Sequence, residues 1–408
     1  MRHLYNIIFL LAVFSFASCT PEVDDVFDEA ASVRIKKAIE EDLNILQGAK
    51  NGWMMEYYPS ATKMYGGYSI LVSFDKDGIA KVSCDLFPSD KEVKSQYQIR
   101  QSTGPTLVFD TYNEIFHFFS EPANSLGIGD SGKGMEGDYE FLILECTPEK
   151  VVLKGKKTGN RMVMTPIPET ESWKDYLGKI RGVARDASIV LYDVNVGTET
   201  QYTVRQEYHV FVLTHTDGSE ETIPFVYTSD GIKFYEPIVI GSSQVQSLKW
   251  DDASQAFKSE DIALKAQTPP DGYRKYDDFL GRYAFVYENG NSMVEVTLEE
   301  ELFNTSYTMK GFPSDLRVVY KPDKGVIGIE TQVISGNSML CPTDGRYFYQ
   351  AAGAGFIGVN GINSGGAPIV LLEDNGALEI SLAGFYAVDM TGPSLIYDIM
   401  YPVGMVKQ

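Results

Sequence analysis

Residues 53–87 read WMMEYYPSATKMYGGYSILVSFDKDGIAKVSCDLF. Three short runs rich in aromatic and β-branched residues, WMMEYYP, YSILVSF and IAKVSCDLF, are separated by turn-forming segments, a spacing that predicts antiparallel strands. The last two are joined by Asp75-Lys76-Asp77-Gly78. There an Asp folds onto its own backbone and a Gly accepts positive φ, so a hairpin is expected. The pattern continues through SQYQIRQ, TLVFD, EIFHFF, YEFLILEC, VVLKGK and RMVMTPI, all read as strands.

Upstream of this block, Ile35, Ile39, Leu43 and Leu46 recur at helical spacing, with Asp28 placed as a cap and Gly48 and Asn51-Gly52 as a stop. Downstream the layout repeats. Trp173, Tyr176, Leu177 and Ile180 form a second helical stripe, followed by ASIVLYDV, QYTVRQ, YHVFVLTH, TIPFVYT and GIKFY, and a third unit opens with RKYDDFLGRYAFVYE. Thr165-Pro166-Ile167-Pro168 and Thr268-Pro269-Pro270 separate the units, because proline lacks an N–H and restricts the residue before it. The expectation is a mainly β chain of two or three antiparallel barrel or sandwich modules, each preceded by a short amphipathic helix. They fall at residues 28–169, 170–270 and 271–408. The second is short for a closed barrel, so a core shared with the first stands as an alternative. Gly52-Trp53 and Gly281-Arg282-Tyr283, at the opening strands, resemble the Gly-x-Trp signature of lipocalin-like barrels.

Residues 1–18 have the form of a signal peptide: a short basic start, an apolar run too short to span a bilayer, and small residues at Ala17-Ser18. With Cys19 next, this resembles a bacterial lipobox, with Phe16 where Leu or Val is usual. A diacylglyceryl group on Cys19 would tie the chain durably to a membrane. Residues 19–27 form an acidic linker containing Glu22, Asp24 and Asp25. It resembles the export signal of surface-exposed Bacteroidetes lipoproteins, which implies an outer-membrane anchor with the body facing outward.

The formal net charge of −21 excludes nucleic acid as a partner and docking on anionic lipid through a basic patch. Once Cys19 is lipidated, Cys84, Cys146 and Cys341 remain, and whether Cys84 and Cys146 pair stays open. No Cys-x-x-Cys, His-Glu-x-x-His or Gly-x-Ser-x-Gly occurs, so no metal, cofactor or catalytic residue is assigned. His117, His209 and His215 are isolated; the last two lie on one predicted strand, too far apart to share a metal. Gly353-Ala354-Gly355-Phe356-Ile357-Gly358 matches a dinucleotide fingerprint by letter, but a loop, not a helix, follows it. The Asp75 segment lacks the closing Glu of a calcium loop. Aromatic rings are the more suggestive material. Tyr65 and Tyr68, in Met64-Tyr65-Gly66-Gly67-Tyr68, are the expected ligand-binding residues, because glycines beside rings let a ligand approach the backbone. Packing inside strands is the bland alternative.

Four segments, VFDEAASVRIKKAIEEDLNILQGAKNGWMMEYYPS, GGYSILVSFDKDG, STGPTLVFDTYN and EKVVLKGKKTGNRMVM, carry a resemblance to a family of Bacteroidetes outer-membrane lipoproteins, strongest over residues 26–168. Its members are commonly encoded beside starch-utilisation-type (Sus) uptake pairs. The resemblance implies an accessory role in nutrient capture and brings no catalytic residues with it. The expected function is a non-catalytic surface lipoprotein that binds a glycan or peptide for an outer-membrane transporter complex. A carboxylate-based extracellular hydrolase is the alternative, needing two facing acids, and a structural subunit of the uptake complex is a third reading.

Overall fold

The computed structural model describes residues 31–122, 128–129, 132–287 and 291–329, and beyond them 332–335, 338–343, 348–350, 357–359, 367–371, 377–380, 384–389, 396–400 and 402–408. The signal peptide, Cys19, the acidic linker and the expected Asp28 cap lie outside the described residues, as do residues 353–356 of the Gly-rich stretch.

The alternating runs become barrels. Strands Trp53–Tyr57, Tyr68–Phe74, Ile79–Cys84, Val93–Gln101, Pro105–Phe109, Glu140–Cys146, Val151–Gly155 and Arg161–Pro166 run up and down in chain order. They close because Trp53–Tyr57 pairs antiparallel with both the second strand and the eighth. A second set of eight closes where Leu191–Val196 meets Ile262–Ala266, and a third where Gly281–Tyr287 meets Pro402–Lys407. A four-stranded sheet and a two-stranded ribbon, Phe348–Gln350 with Ile357–Val359, accompany the third. The Asp75 turn forms as expected: its carboxylate accepts from the Asp77 and Ile79 amides at 2.9 and 2.8 Å.

Helix α1 (Ala31–Gly48) precedes the first barrel and meets it through Leu46, whose carbonyl accepts from the buried Trp53 indole at 2.9 Å. The run EIFHFF departs from its strand reading and forms helix α2 (Glu114–Ser120). The Asn113 side chain caps it, accepting from the Ile115 and Phe116 amides, and Ile115, Phe116 and Phe119 then turn inward together. Helix α3 (Trp173–Asp186) precedes the second barrel. Before the third stands a 3-10 turn, Tyr276–Phe279, whose Tyr276 and Phe279 rings are buried.

Rings fill the interiors. Tyr57 packs on Phe116 and Phe119 in the first barrel, Tyr192 on Phe211 and Phe257 in the second, and Tyr276 on Tyr307 in the third. The second sheet completes its own circle, and its buried cluster runs on into the third barrel's while the first barrel keeps a separate one. This corrects the alternative of a core shared between the first two: with hairpin connections, eight short strands fit into the length between the prolines. Cys84 and Cys146 are free thiols. Cys84 is buried in the first barrel's core, and the Cys146 thiol donates to the Asp42 carbonyl, with burial pushing its pKa up to about 12.

The first two barrels dock through residues 65–69. The Gly67 amide donates to the Phe225 carbonyl at 2.9 Å, the Ser69 hydroxyl to the Tyr227 carbonyl at 3.2 Å, and Lys233 reaches Glu56 at 2.6 Å. Gly66 bridges to His209 with φ +67°, and an added methyl would overlap the His209 carbonyl. Gly67 lies so close to the Tyr58 ring that a methyl there would sit 2.6 Å from it. Replacing Gly66 by Ala is therefore expected to lower stability by at least about 2 kcal/mol, by backbone strain and clash together. Gly197→Ala, at φ +60° but with open space around it, carries only the strain. Thermal melts compare the two; equal losses would show that the glycine's close approach does not hold the barrels together.

Candidate functional site

In an up-and-down barrel alternate connections emerge at opposite ends. In the first barrel, residues 58–67, 85–92 and 156–160 and the described residues of the connection between Phe109 and Glu140 therefore share one end, which includes α2. This end faces the other barrels: Tyr58 packs edge-on to Tyr235 with centroids 4.7 Å apart, and the Tyr235 hydroxyl accepts from the Arg161 amide at 2.9 Å.

Where the three barrels and α3 meet there is a cavity of about 440 Å³. That is within the roughly 300–1,000 Å³ of small-molecule sites, which often form between domains. The first barrel contributes Tyr68, Asp85 and Leu86, and α3 contributes Ile180, Arg181 and Ala184. The second barrel adds the two-residue turn Tyr208-His209 and Tyr227; the third adds the hairpin from Phe303 to Ser306 with Tyr320. The floor is buried and the rim is open: Tyr68, Asp85 and Tyr227 are almost fully covered, whereas Tyr208 is half exposed. Tyr208 also holds φ +47°, a conformation costly for a bulky side chain, and its ring meets Tyr65 edge-on.

Arg181 holds the junction together. Its guanidinium donates to the Phe87 carbonyl of the first barrel at 3.1 Å and to Glu300 of the third, and lies 4.3 Å from the Phe303 ring centre. The Phe303 amide in turn donates to the Leu86 carbonyl at 2.8 Å. On the floor, Asp85 accepts from the Ser69 amide at 3.0 Å and from the Cys84 thiol. His209 donates from Nδ1 to the Gly67 carbonyl, leaving Nε2 an acceptor with no hydrogen-bond partner among the described residues. The Tyr68 hydroxyl likewise has none, and its electrostatic neighbours are Tyr208, Asp85, Cys84 and Tyr65.

These contacts revise the sequence expectation for Tyr65 and Tyr68. Both rings are buried, at 3% exposure each, so neither offers a face to a sugar. Tyr65 packs on Tyr208, and Tyr68 lies between Phe119 and His209 with centroids 4.9 and 4.6 Å away. What approaches the glycine backbone is the second barrel. Tyr68 nevertheless reaches the cavity, while the Tyr65 hydroxyl contacts the Gly134 carbonyl at 3.4 Å. His209 and His215 sit at opposite ends of strand Val210–Thr214; only His209 lines the cavity, and His215 pairs with exposed Glu221. Asp85 and Arg181 escaped sequence reading, since an acid after a strand and a base on an amphipathic helix look like ordinary surface charges. Among the described residues no three His, Cys, Asp or Glu side chains gather as metal ligands, and no helix is long and apolar enough to cross a membrane.

Burial lowers the His209 pKa below the ordinary 6.5, although Asp85 opposes the shift; burial raises Asp85 above 3.8, opposed by His209. Below pH 6.5 the unfolded chain takes up a proton that folded His209 refuses. The stability from its neutral ring is complete above that value and declines as pH falls toward the lowered folded pKa. Asp85 acts oppositely at lower pH, where the folded carboxyl is protonated first. Thermal melts between about pH 7.5 and pH 5.5 are expected to show falling stability in the wild type and a smaller fall in His209→Gln. Parallel curves would remove His209 as the cause.

No curated protein matches the sequence. Solved structures that match include transferrin binding protein B of isotype 1 from serogroup B Neisseria meningitidis, at 8% identity and TM-score 0.15, covering 87% of this chain and 73% of that one. A mutant of transferrin binding protein B from Haemophilus parasuis Hp5 matches at 10% identity and TM-score 0.14, covering 87% and 75%. Likeness this slight carries no argument. The family models are more informative: DUF4987, a domain of unknown function, matches residues 256–367, and DUF4302, also a domain of unknown function, matches residues 23–252. With more than half of its length so matched, the chain belongs to the DUF4302 family.

Proposed function

We propose that this protein is a lipoprotein, tethered through Cys19 to the outer membrane and facing outward, that binds a nutrient without transforming it and serves an uptake complex of the Sus type. The observation that carries the binding reading is the junction cavity with two polar groups on its wall, the Tyr68 hydroxyl and His209 Nε2, that lack partners among the described residues. Polar groups left open on a cavity wall are available to a ligand. A ligand bearing hydroxyl or amide N–H groups would pair with them, as glycans and peptides both can. The surrounding rings and aliphatic side chains, Phe303, Ile180 and Leu86 among them, would cover its apolar parts. The site's place between barrels supports capture over catalysis, because a ligand there touches three bodies and stabilises their arrangement.

The address supports the same reading. A lipid at Cys19 followed by an acidic linker suits a body working at the cell surface, and the uptake partner rests on the family resemblance.

Thermal-shift screening of the protein against short neutral oligosaccharides and short peptides is expected to yield at least one ligand that raises the melting temperature. Tyr68→Phe removes only an unpaired hydroxyl, so its unliganded stability should be unchanged or slightly higher. Its affinity for that ligand should drop about tenfold, or ~1.4 kcal/mol. A ligand that binds wild type and Tyr68→Phe equally would place binding elsewhere, and no shift with any compound would favour a purely structural subunit.

A further inference from the structure

The same end of the first barrel carries a second aromatic feature, outside the cavity. Tyr112, His117 and Tyr139 form a stack: the Tyr112 and His117 ring centres are 4.6 Å apart, and those of His117 and Tyr139 are 5.3 Å apart with planes 17° from parallel. Unlike Tyr65 and Tyr68, the outer rings are open to solvent, Tyr112 at 61% and Tyr139 at 40% exposure. Single exposed rings are common on proteins. A stack whose middle member is locked in place is a different matter. His117 sits on α2, and its Nδ1 lies 2.9 Å from the carbonyl of Asn113, the residue that caps the helix. The Tyr139 carbonyl accepts from the Phe109 amide at 3.3 Å, which ties the backbone of the third ring to the barrel wall. The middle ring is thus held in position before any ligand arrives.

The surrounding charge restricts what they can hold. Glu114 pairs with Lys91, Asp110 with Arg100, and Glu140 with Lys156. Those three pairs cancel, and their bases are engaged by carboxylates and not open to an anion. Glu121, facing the Tyr112 hydroxyl, adds a carboxylate acceptor at the edge. An exposed ring face rimmed by paired charges and a carboxylate acceptor matches a neutral pyranose, whose C–H face packs on a ring while its hydroxyls donate outward.

We infer that Tyr112, carried on the Tyr112–His117–Tyr139 stack, is a contact for a neutral sugar ring of a glycan. This rests on the reading of the protein as a nutrient binder and narrows the nutrient to a neutral polysaccharide. The experiment is affinity electrophoresis of the full chain in gels containing soluble starch, laminarin or galactomannan, with polygalacturonate as the anionic counterpart. Wild type should be retarded by at least one neutral gel. Tyr112→Ala should weaken that retention about tenfold and Tyr112→Phe by less than about twofold, since the ring and not the hydroxyl makes the contact. The substituted side chain is mostly exposed, so these variants should fold, and their melting temperatures confirm it. If Tyr112→Ala is retained like wild type while Tyr68→Phe is not, the stack is dismissed and the nutrient-binding reading stands. Retention by polygalacturonate alone would overturn the neutral-sugar assignment. If no gel retards the wild type, the sugar contact falls, and a peptide ligand in the thermal-shift screen would still preserve the broader reading.

Discussion

Eight antiparallel strands close into a barrel only about wide enough for side chains to fill, and this chain fills all three of its barrels with rings. Tyr57, Phe116 and Phe119 occupy the first, Tyr192, Phe211 and Phe257 the second, and Tyr276 and Tyr307 the third. Where such a ring carries a hydroxyl, a backbone carbonyl accepts its hydrogen bond: Tyr57 donates to Asp138, Tyr276 to Ser306 and Tyr307 to Tyr276. Closure leaves no sheet edge to be covered, and the packed interiors leave a ligand to be met outside them, between barrels or on their ends.

The junction follows from that. Barrels are smooth bodies, and three of them meeting leave a gap unless side chains bridge it. Arg181 does so from α3, satisfying its guanidinium on a first-barrel carbonyl and a third-barrel carboxylate. Burying such a charge is tolerable only with partners of this kind. Glu300 gains the complementary benefit: burial raises its pKa, and Arg181 draws it back down. On the other side of the gap the chain brings two backbones together at Gly66 and His209, where only a residue without a side chain fits. The cavity is the space these bridges do not fill.

Much of the fold was legible because strand periodicity is local. Alternating residues and Asp-Gly turns predicted the hairpins. EIFHFF was the instructive miss. Its composition suits a strand, yet Asn113 offers the first helical amides a cap, and the helix buries Ile115, Phe116 and Phe119 together. The second module was also underestimated, since length alone does not reveal how tightly hairpins can be turned.

By itself the sequence determined most of the strands, the two amphipathic helices and the acidic character, all of which depend on composition or on residues near one another in the chain. Only the tertiary structure decided what Tyr65 and Tyr68 face, that Asp85 and His209 share a cavity wall across two barrels, and that Tyr112 is left open to solvent while Tyr65 and Tyr68 of the glycine-rich turn are not. The reason is physical: exposure and electrostatic environment are properties of which surfaces meet, and 124 residues separate Asp85 from His209 along the chain. No local pattern records that distance being closed.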